Sequence, residues 1–127
     1  MVDKDDLKRK RREDLAELFA ALAKDQAPII VEGKRDREAL VRGGIKGDRI
    51  TMLHGKSRLD IEDTLAECKD IILMLDYDAE GLKLQDEFKA IFSRAGARVN
   101  TWYWSKIREI FNGHIDCIEN LRGYFEP

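Results

Sequence analysis

The sequence has 127 residues and 38% of them are charged, yet Lys+Arg 23 against Asp+Glu 25 leaves a formal net charge of -2. This length predicts one domain, residues 1–127, with room for a buried core and too little chain for a multidomain enzyme. Because the charges balance, the composition excludes a protein that binds nucleic acid through its overall charge. Any nucleic-acid surface must therefore be local.

The sequence also limits redox chemistry and location. Cys68 and Cys117 stand far apart, without the spacing of a zinc site or of a disulfide framework. We interpret both as small buried apolar residues in a reducing compartment. No apolar run resembles a signal peptide or has the length needed to span a bilayer. We therefore expect a cytoplasmic protein with no membrane partner.

Residues 1–27 predict a charged N-terminal helix, with acids near its start. Its apolar stripe consists of Leu15, Leu18, Phe19 and Leu22. The run Lys8–Arg12 is entirely basic and is able to bind phosphates, but the segment as a whole carries as many acids as bases. Two interpretations of the run stay open, a solvated helix face and a nucleic-acid contact.

The next two elements are short apolar strands, each followed by a polar turn and a helix. Ile29–Val31 is the first strand, and it ends on Glu32 and Gly33 before a helix that Asp36 is placed to open. Ile50–Leu53 is the second strand. A small polar loop with His54 follows, and we favour a structural or surface role for this single histidine over a catalytic one.

An unbroken apolar run, Ile71–Leu75, stops abruptly at Asp76, Asp78, Glu80 and Gly81. The run is too short for a buried helix and predicts a third strand covered on both faces, whereas residues 81–95 have helical periodicity. The acids therefore lie at a strand-to-helix turn, where parallel sheets place their ligands. Two carboxylates two residues apart make a Mg²⁺ site plausible. In the alternative interpretation, Asp78 only caps the helix.

Residues 98–102 predict a last strand, so that four strands alternate with helices in a mainly parallel sheet with helices on both faces. If Glu32 and the two aspartates share an ion, the first and third strands must be neighbours, which gives the strand order 2-1-3-4. Residues 103–127 predict a helical tail that covers the sheet or an edge strand. We expect Trp102, Tyr103 and Trp104 to seal the sheet against this tail, with a base-stacking platform as the alternative.

Two motifs resemble those of the Toprim family, the catalytic module of topoisomerases, bacterial primases, repair nucleases and small-rRNA maturation nucleases. The family's E-G-x-x-D after an apolar strand is similar to Ile29–Asp36, and its D-x-D-x-x-G is similar to Ile71–Gly81. The D-x-D-x-E-G form in this sequence is especially similar to that of type IA topoisomerases. The resemblance covers residues 28–102, and it implies a three-layer α/β sandwich.

The resemblance also implies roles for the acids. Glu32 would be the general acid or base, Asp76 and Asp78 would hold Mg²⁺ (or Mn²⁺), and Glu80 would be a third ligand or hold a water. One carboxylate facing two metal-binding ones suits phosphodiester cleavage, and like charges should raise the pKa of Glu32 when no ion is bound. Basic residues near the two turns are candidates for substrate phosphate contacts, with solvated side chains as the alternative: Lys34, Arg35, Lys56 and Arg58.

The sequence lacks the separate tyrosine-bearing domain of a topoisomerase and the further modules of a primase, so it resembles the nuclease branch. We expect Mg²⁺-dependent phosphoryl transfer on nucleic acid, with RNA favoured over DNA, by an RNA-processing endonuclease that is a monomer or a homodimer. The alternative is a non-catalytic RNA-binding or scaffolding module in an RNA-processing or ribosomal complex. A haloacid-dehalogenase-type phosphatase fits less well, since it does not explain Glu32 and Gly33. A receiver domain also fits less well, because it needs a lysine on the last strand, which has Arg98 and no lysine.

Overall fold

The structure is a computed structural model that describes residues 3–125. Five α-helices and four strands follow one another as α1 (Lys4–Lys24), β1 (Ile29–Val31), α2 (Lys34–Arg42), β2 (Ile50–Met52), α3 (Arg58–Leu65), β3 (Asp70–Leu73), α4 (Ala79–Arg94), β4 (Arg98–Asn100) and α5 (Trp102–Ile110). Short 3-10 segments span Gly47–Arg49 and Ile118–Tyr124, and the latter is called the terminal 3-10 helix below. The ends of the predicted N-terminal helix and tail, residues 1–2 and 126–127, lie outside the described residues.

The four strands form one parallel sheet in the order β2-β1-β3-β4. Ile30 pairs with Thr51 on one side and with Leu73 on the other, so β1 and β3 are neighbours. The predicted order is confirmed. Since Glu32 and Asp76 follow these two strands, the strand order brings the two acids to the same edge of the sheet, at its topological switch point.

Helices cover both faces of the sheet, which makes the predicted three-layer sandwich. Alternate residues of a strand point to opposite faces. Ile29, Val31, Ile72 and Met74 pack with α1, α5 and the terminal 3-10 helix, whereas Ile30, Ile71, Leu73 and Leu75 pack with α3 and α4. The predicted apolar stripe of α1 is fully part of the first core: Leu15, Leu18, Phe19 and Leu22 are all buried. The predicted N-terminal helix and helical tail therefore complete one outer layer.

Several bases of the run Lys8–Arg12 contact other groups of the chain. Arg9 and Lys10 each form an ion pair with an acid of α1, at 3.2 Å. Arg11 donates to the main-chain oxygen of Phe111 at 3.3 Å and so satisfies the carboxyl end of α5. These contacts favour the interpretation of the run as a helix face over that of a nucleic-acid contact.

The predicted end of the last strand was wrong, because β4 stops at Asn100 and Trp102 begins α5. The Asn100 side chain accepts a hydrogen bond from the Trp102 N–H at 2.8 Å, and such a turn ends a strand. Trp104 seals the sheet as expected, since its Nε1 donates to the Leu75 oxygen at 2.7 Å. Tyr103 is buried, but Trp102 is 52% exposed. Among the described residues, no helix has the length and apolar character to cross a membrane.

Candidate functional site

The site begins with two acids that meet where β1 and β3 end. The main-chain N–H of Asp76 donates to Oε1 of Glu32 at 3.3 Å. Asp76 is only 9% exposed and Glu32 is half-buried. Because β1 and β3 are hydrogen-bonded neighbours, the two carboxyl groups share one pocket at the edge of the sheet. The structure thus brings together the predicted catalytic acid and one predicted metal ligand.

The terminal 3-10 helix closes this pocket with main-chain donors. The N–H of Ile118 donates to Oδ1 of Asp76 at 2.9 Å, and the N–H of Glu119 donates to Oδ1 of Asp36 at 3.1 Å. Asp36 is itself buried, and its Oδ2 accepts the N–H of Gly33 at 3.1 Å, which caps α2. The main-chain N–H groups of Gly33, Ile118 and Glu119 therefore all donate to buried carboxylates.

The pocket shifts the ionisation of its acids towards the protonated form. Burial first, and then the negative charge of Asp76, raises the pKa of Glu32 to about 7. Burial and the same neighbour raise the pKa of Asp36 to about 6. Burial also raises the pKa of Asp76, while the N–H of Ile118 acts in the opposite direction. The predicted rise in the pKa of Glu32 thus has burial as its main cause and like charge as the second.

Asp78 and Glu80 lie on the solvent side of the pocket. Asp78 is the N-cap of α4, and its Oδ1 accepts the N–H of Gly81 at 2.7 Å. Its charge nevertheless contributes to the raised pKa of Glu32, so Asp78 caps the helix and also acts on the site. Glu80 is exposed in the first turn of α4. It takes no part in the main-chain hydrogen bonds to the carboxylates of Glu32, Asp36 and Asp76.

Two nearby residues with nucleophilic atoms are unsuited to covalent catalysis. Burial and the surrounding acids raise the pKa of the Cys117 thiol to about 11, which keeps it protonated and unreactive. Tyr77 is 6% exposed, burial raises its pKa, and its hydroxyl donates to the main-chain oxygen of Trp104 at 2.7 Å. The site therefore relies on carboxylates.

The carboxylates fit a hydrated divalent cation better than a fully ligated one. Within residues 3–125, no three His, Cys, Asp or Glu side chains stand ready to ligate a metal together. One oxygen each of Glu32, Asp76 and Asp78 accepts a main-chain N–H. A carboxylate offers about four lone-pair positions, so each keeps capacity for an ion or for its waters. Mg²⁺ usually binds one or two carboxylates and retains water, which suits this donor set.

The predicted phosphate-binding residues fall into two groups. Lys34 and Arg35 are exposed in the first turn of α2, next to Glu32, and Lys56 is exposed in the loop between β2 and α3. Arg58 instead faces α4, where it lies 3.9 Å from Glu87. This long, exposed ion pair is weak.

The sequence placed Asp36 in the first motif and at the start of a helix, but it assigned no site role to Asp36 or to Glu119. The final acid of the first motif was the available signal for Asp36, whereas the tail carries no motif. Gln85 was also missed: it is 3% exposed on α4, and its side chain accepts the Leu75 N–H at 3.1 Å and donates to the Leu73 oxygen at 3.2 Å. Gln85 thus completes the hydrogen bonds of the strand that leads to Asp76.

Comparisons with known proteins identify the family of the chain. The chain matches the Toprim domain over residues 27–103. It is 37% identical to a UPF0292 protein of Methanocaldococcus jannaschii over 105 residues, which cover 79% of each chain. It is 30% identical to a UPF0292 protein of Thermoplasma volcanium over 100 residues, covering 78% of this chain and 82% of that one.

A solved structure of a protein from Aquifex aeolicus has a TM-score of 0.68 and 30% identity, and the similarity covers 85% of this chain and 94% of that chain. The matched Toprim segment includes Glu32, Asp36, Asp76 and Asp78, but not the terminal 3-10 helix that closes the pocket. Toprim domains typically bind Mg²⁺, which agrees with the donor chemistry of these acids. With its parallel four-stranded sheet, its paired acids and this match, the chain belongs to the Toprim domain family.

Proposed function

We propose that this protein is a Mg²⁺-dependent phosphodiesterase that cleaves nucleic acid, with RNA as its main substrate. The family supports a nucleic-acid-related, metal-binding function. The observation that carries the proposed chemistry is the half-buried Glu32 beside Asp76, with a pKa raised to about 7. An acid with this pKa exists in both protonation states near neutral pH, as general acid–base catalysis requires.

The proposed reaction is hydrolysis of one ester bond of a phosphodiester. Water adds across the P–O bond, so one proton leaves the attacking water and one proton reaches the departing oxygen. Glu32 performs one of these two transfers. Asp76 and Asp78 would hold the ion, with Glu80 as a further ligand or water holder, and a bound ion would supply positive charge that neutralises the phosphate oxygens. Lys34, Arg35 and Lys56 contact flanking phosphates, and Arg58 does so once it leaves Glu87.

The test is cleavage of labelled cellular RNA and of plasmid DNA in Mg²⁺ or Mn²⁺. We expect the parent to cut RNA faster than DNA, and Glu32→Gln to lose roughly 10²- to 10⁴-fold in rate. The control is Glu67→Gln, which removes an exposed acid outside the site and should leave the rate unchanged. Equal rates for Glu32→Gln and the parent would refute the role of Glu32.

The metal assignment has its own test, which does not require activity. Asparagine caps a helix as well as aspartate, so Asp78→Asn removes the charge of Asp78 while keeping the cap of α4. Mg²⁺ should raise the unfolding temperature of the parent because it binds only the folded state. We expect a much smaller rise for Asp78→Asn and for Asp76→Asn. An equal rise in all three proteins would exclude these two aspartates as ligands.

A second candidate function is a non-catalytic RNA-binding or scaffolding module of an RNA-processing or ribosomal complex. The observation that favours it is that no three potential ligands within residues 3–125 stand ready for a metal. Main-chain N–H groups of the tail already donate a hydrogen bond to one carboxylate oxygen of Asp36 and to one of Asp76. Tight RNA binding that is unaffected by removal of Mg²⁺, with no cleavage by any variant, would favour this function over hydrolysis.

A further inference from the structure

A basic pocket lies on the outer side of α2, where the terminal 3-10 helix packs against it. The cavity has a volume of about 420 Å³ and is lined by Arg37, Glu38, Val41, Arg42 and Arg122. We call these residues the arginine pocket. The lining includes three arginines and a single acid, so this part of the surface has a local positive charge on a chain whose formal net charge is -2. None of the predicted phosphate-binding residues belongs to it.

The three arginines of this pocket form no ion pair within residues 3–125. Arg9 and Lys10, by contrast, each have an acid within 3.2 Å. The Nε of Arg42 is buried and, among the described residues, has no hydrogen-bond acceptor. A buried donor without an acceptor is unfavourable, so the Arg42 side chain keeps an unused hydrogen-bonding group in its present position.

The position of the pocket connects it to the carboxylate site. Glu32 and Gly33 lead directly into α2, whose first turn carries the exposed Lys34 and Arg35. A helix rises about 1.5 Å per residue, so Arg42 lies roughly 13 Å along α2 from Gly33. The axial rise of a nucleic-acid duplex is about 3.4 Å per nucleotide, so this length corresponds to only a few nucleotides. The bases of α2 thus form a path from the carboxylate site to the arginine pocket.

We propose that the arginine pocket binds the phosphodiester backbone of a nucleic acid a few nucleotides from the bond held at Glu32. Guanidinium groups bind phosphate oxygens through paired hydrogen bonds, which suits a pocket with three arginines. The inference rests on the proposed function, because it takes the carboxylate site as the place of cleavage. It adds a contact surface that determines how the substrate lies along α2.

The experiment measures binding of a fluorescein-labelled RNA hairpin in EDTA, where cleavage is absent, at salt concentrations from about 50 to 200 mM. The variant is Arg37→Gln/Arg42→Gln/Arg122→Gln. Each lost phosphate contact lowers the slope of log affinity against log salt by about 0.9, so we expect a decrease of about 2 to 3 in slope. Affinity at low salt should fall at least about tenfold.

Two controls make the result specific to this surface. Lys69→Gln/Lys89→Gln/Arg94→Gln removes the same charge from exposed positions away from α2, and it should keep most of the parent's slope. Arg37→Lys/Arg42→Lys/Arg122→Lys keeps the charge but loses the paired geometry, so it should keep the slope and lose part of the affinity. Thermal unfolding of each variant shows that it is folded.

The outcomes separate this inference from the proposed function. If the parent binds the hairpin and the arginine-to-glutamine variant has the same affinity and slope, the inference is wrong while the proposed function stands. If both triple glutamine variants lose equal slope, the effect is one of overall charge, and the inference is likewise overturned. A parent that binds neither this RNA nor the matching DNA hairpin overturns both.

Discussion

Strand β3 has an acid at each end, and the two acids have opposite surroundings. Asp70, at the start, is exposed and accepts two hydrogen bonds from Arg98 of β4, at 2.8 and 3.0 Å. Asp76, after the end, is buried beside Glu32 and has no basic partner among the ion pairs of residues 3–125. The same residue type is thus neutralised at one edge of the sheet and left with other acids at the opposite edge.

This difference separates an acid with a matched charge from acids whose ionisation is strongly perturbed. At the amino edge, the charge of Asp70 is matched by Arg98 and solvated, and its hydrogen bonds raise the pKa of Arg98, which favours the charged form of that base. At the carboxyl edge, burial and mutual repulsion raise the pKa values of Glu32 and Asp36 to about 7 and about 6. A fold gains no stability from such an arrangement, and perturbed acids of this kind cluster at functional sites.

The largest effect on stability at the carboxyl edge of the sheet is expected for Gly81→Ala. A Cβ at position 81 would overlap the main-chain carbonyl of Asp76, because the first turn of α4 packs directly on this residue. The obstacle is backbone rather than a flexible side chain, so we expect a loss of about 3 kcal/mol in the free energy of unfolding, together with loss of cleavage. Chemical denaturation measures the stability.

The matched control is Gly123→Ala, where the added methyl group meets no atom within 4 Å. It should change the free energy of unfolding by less than about 0.5 kcal/mol. If Gly81→Ala were equally harmless, α4 would not need its close approach to Asp76, and the glycine of the second motif would require another explanation.

The second effect is a gain in stability at the carboxyl edge. Glu32→Gln removes a charge that burial disfavours, and an amide can still accept the Asp76 N–H. At pH 8 in EDTA we expect the variant to be more stable than the parent by about 1 to 2 kcal/mol, a figure reduced for the solvent that reaches this half-buried group. Urea denaturation of both proteins measures the difference.

The sign of the pH dependence follows from the direction of the pKa shift. Below about pH 4.5, the Glu32 carboxyl is protonated in both the folded and the unfolded state, so the two proteins differ little. From about pH 4.5 to 7 the unfolded state releases this proton first, which lowers the stability of the parent as the pH rises. The advantage of Glu32→Gln should therefore grow across this window and stay constant above it. An advantage that shrank with rising pH would contradict the raised pKa.

Most of the fold followed from the sequence because its signals were local. Short apolar runs ending on acids identified β1 and β3, and the need to bring Glu32 next to Asp76 gave the strand order that the sheet has. The end of β4 was wrong because the turn at Asn100 depends on one side-chain hydrogen bond, which apolar periodicity does not reveal. Gln85 was missed because the sequence does not show whether a glutamine side chain is buried or exposed.

The site was less predictable because part of it is made by main-chain groups far away in sequence. The two motifs located Glu32 and Asp76, but the donors that fix the carboxylates of Asp36 and Asp76 are the N–H groups of Glu119 and Ile118. Any residue except proline carries such a group, so the sequence of the tail gives no sign of this role. Only the packing of the terminal 3-10 helix on α2 shows it.

The smallest effect is expected at the amino edge, where removing an acid should leave the stability of the protein unchanged. Asp70→Asn removes the acid that pairs with Arg98, but both side chains are largely exposed, at 51% and 80%. Solvent and salt screen such a pair, so the midpoint of denaturation should not change beyond experimental scatter, at any pH between 5 and 8. If Asp70→Asn instead gave the same pH-dependent gain as Glu32→Gln, acids at both edges would be equally unfavourable. The gain at Glu32 would then reflect the net charge of the chain and not the carboxylate pocket.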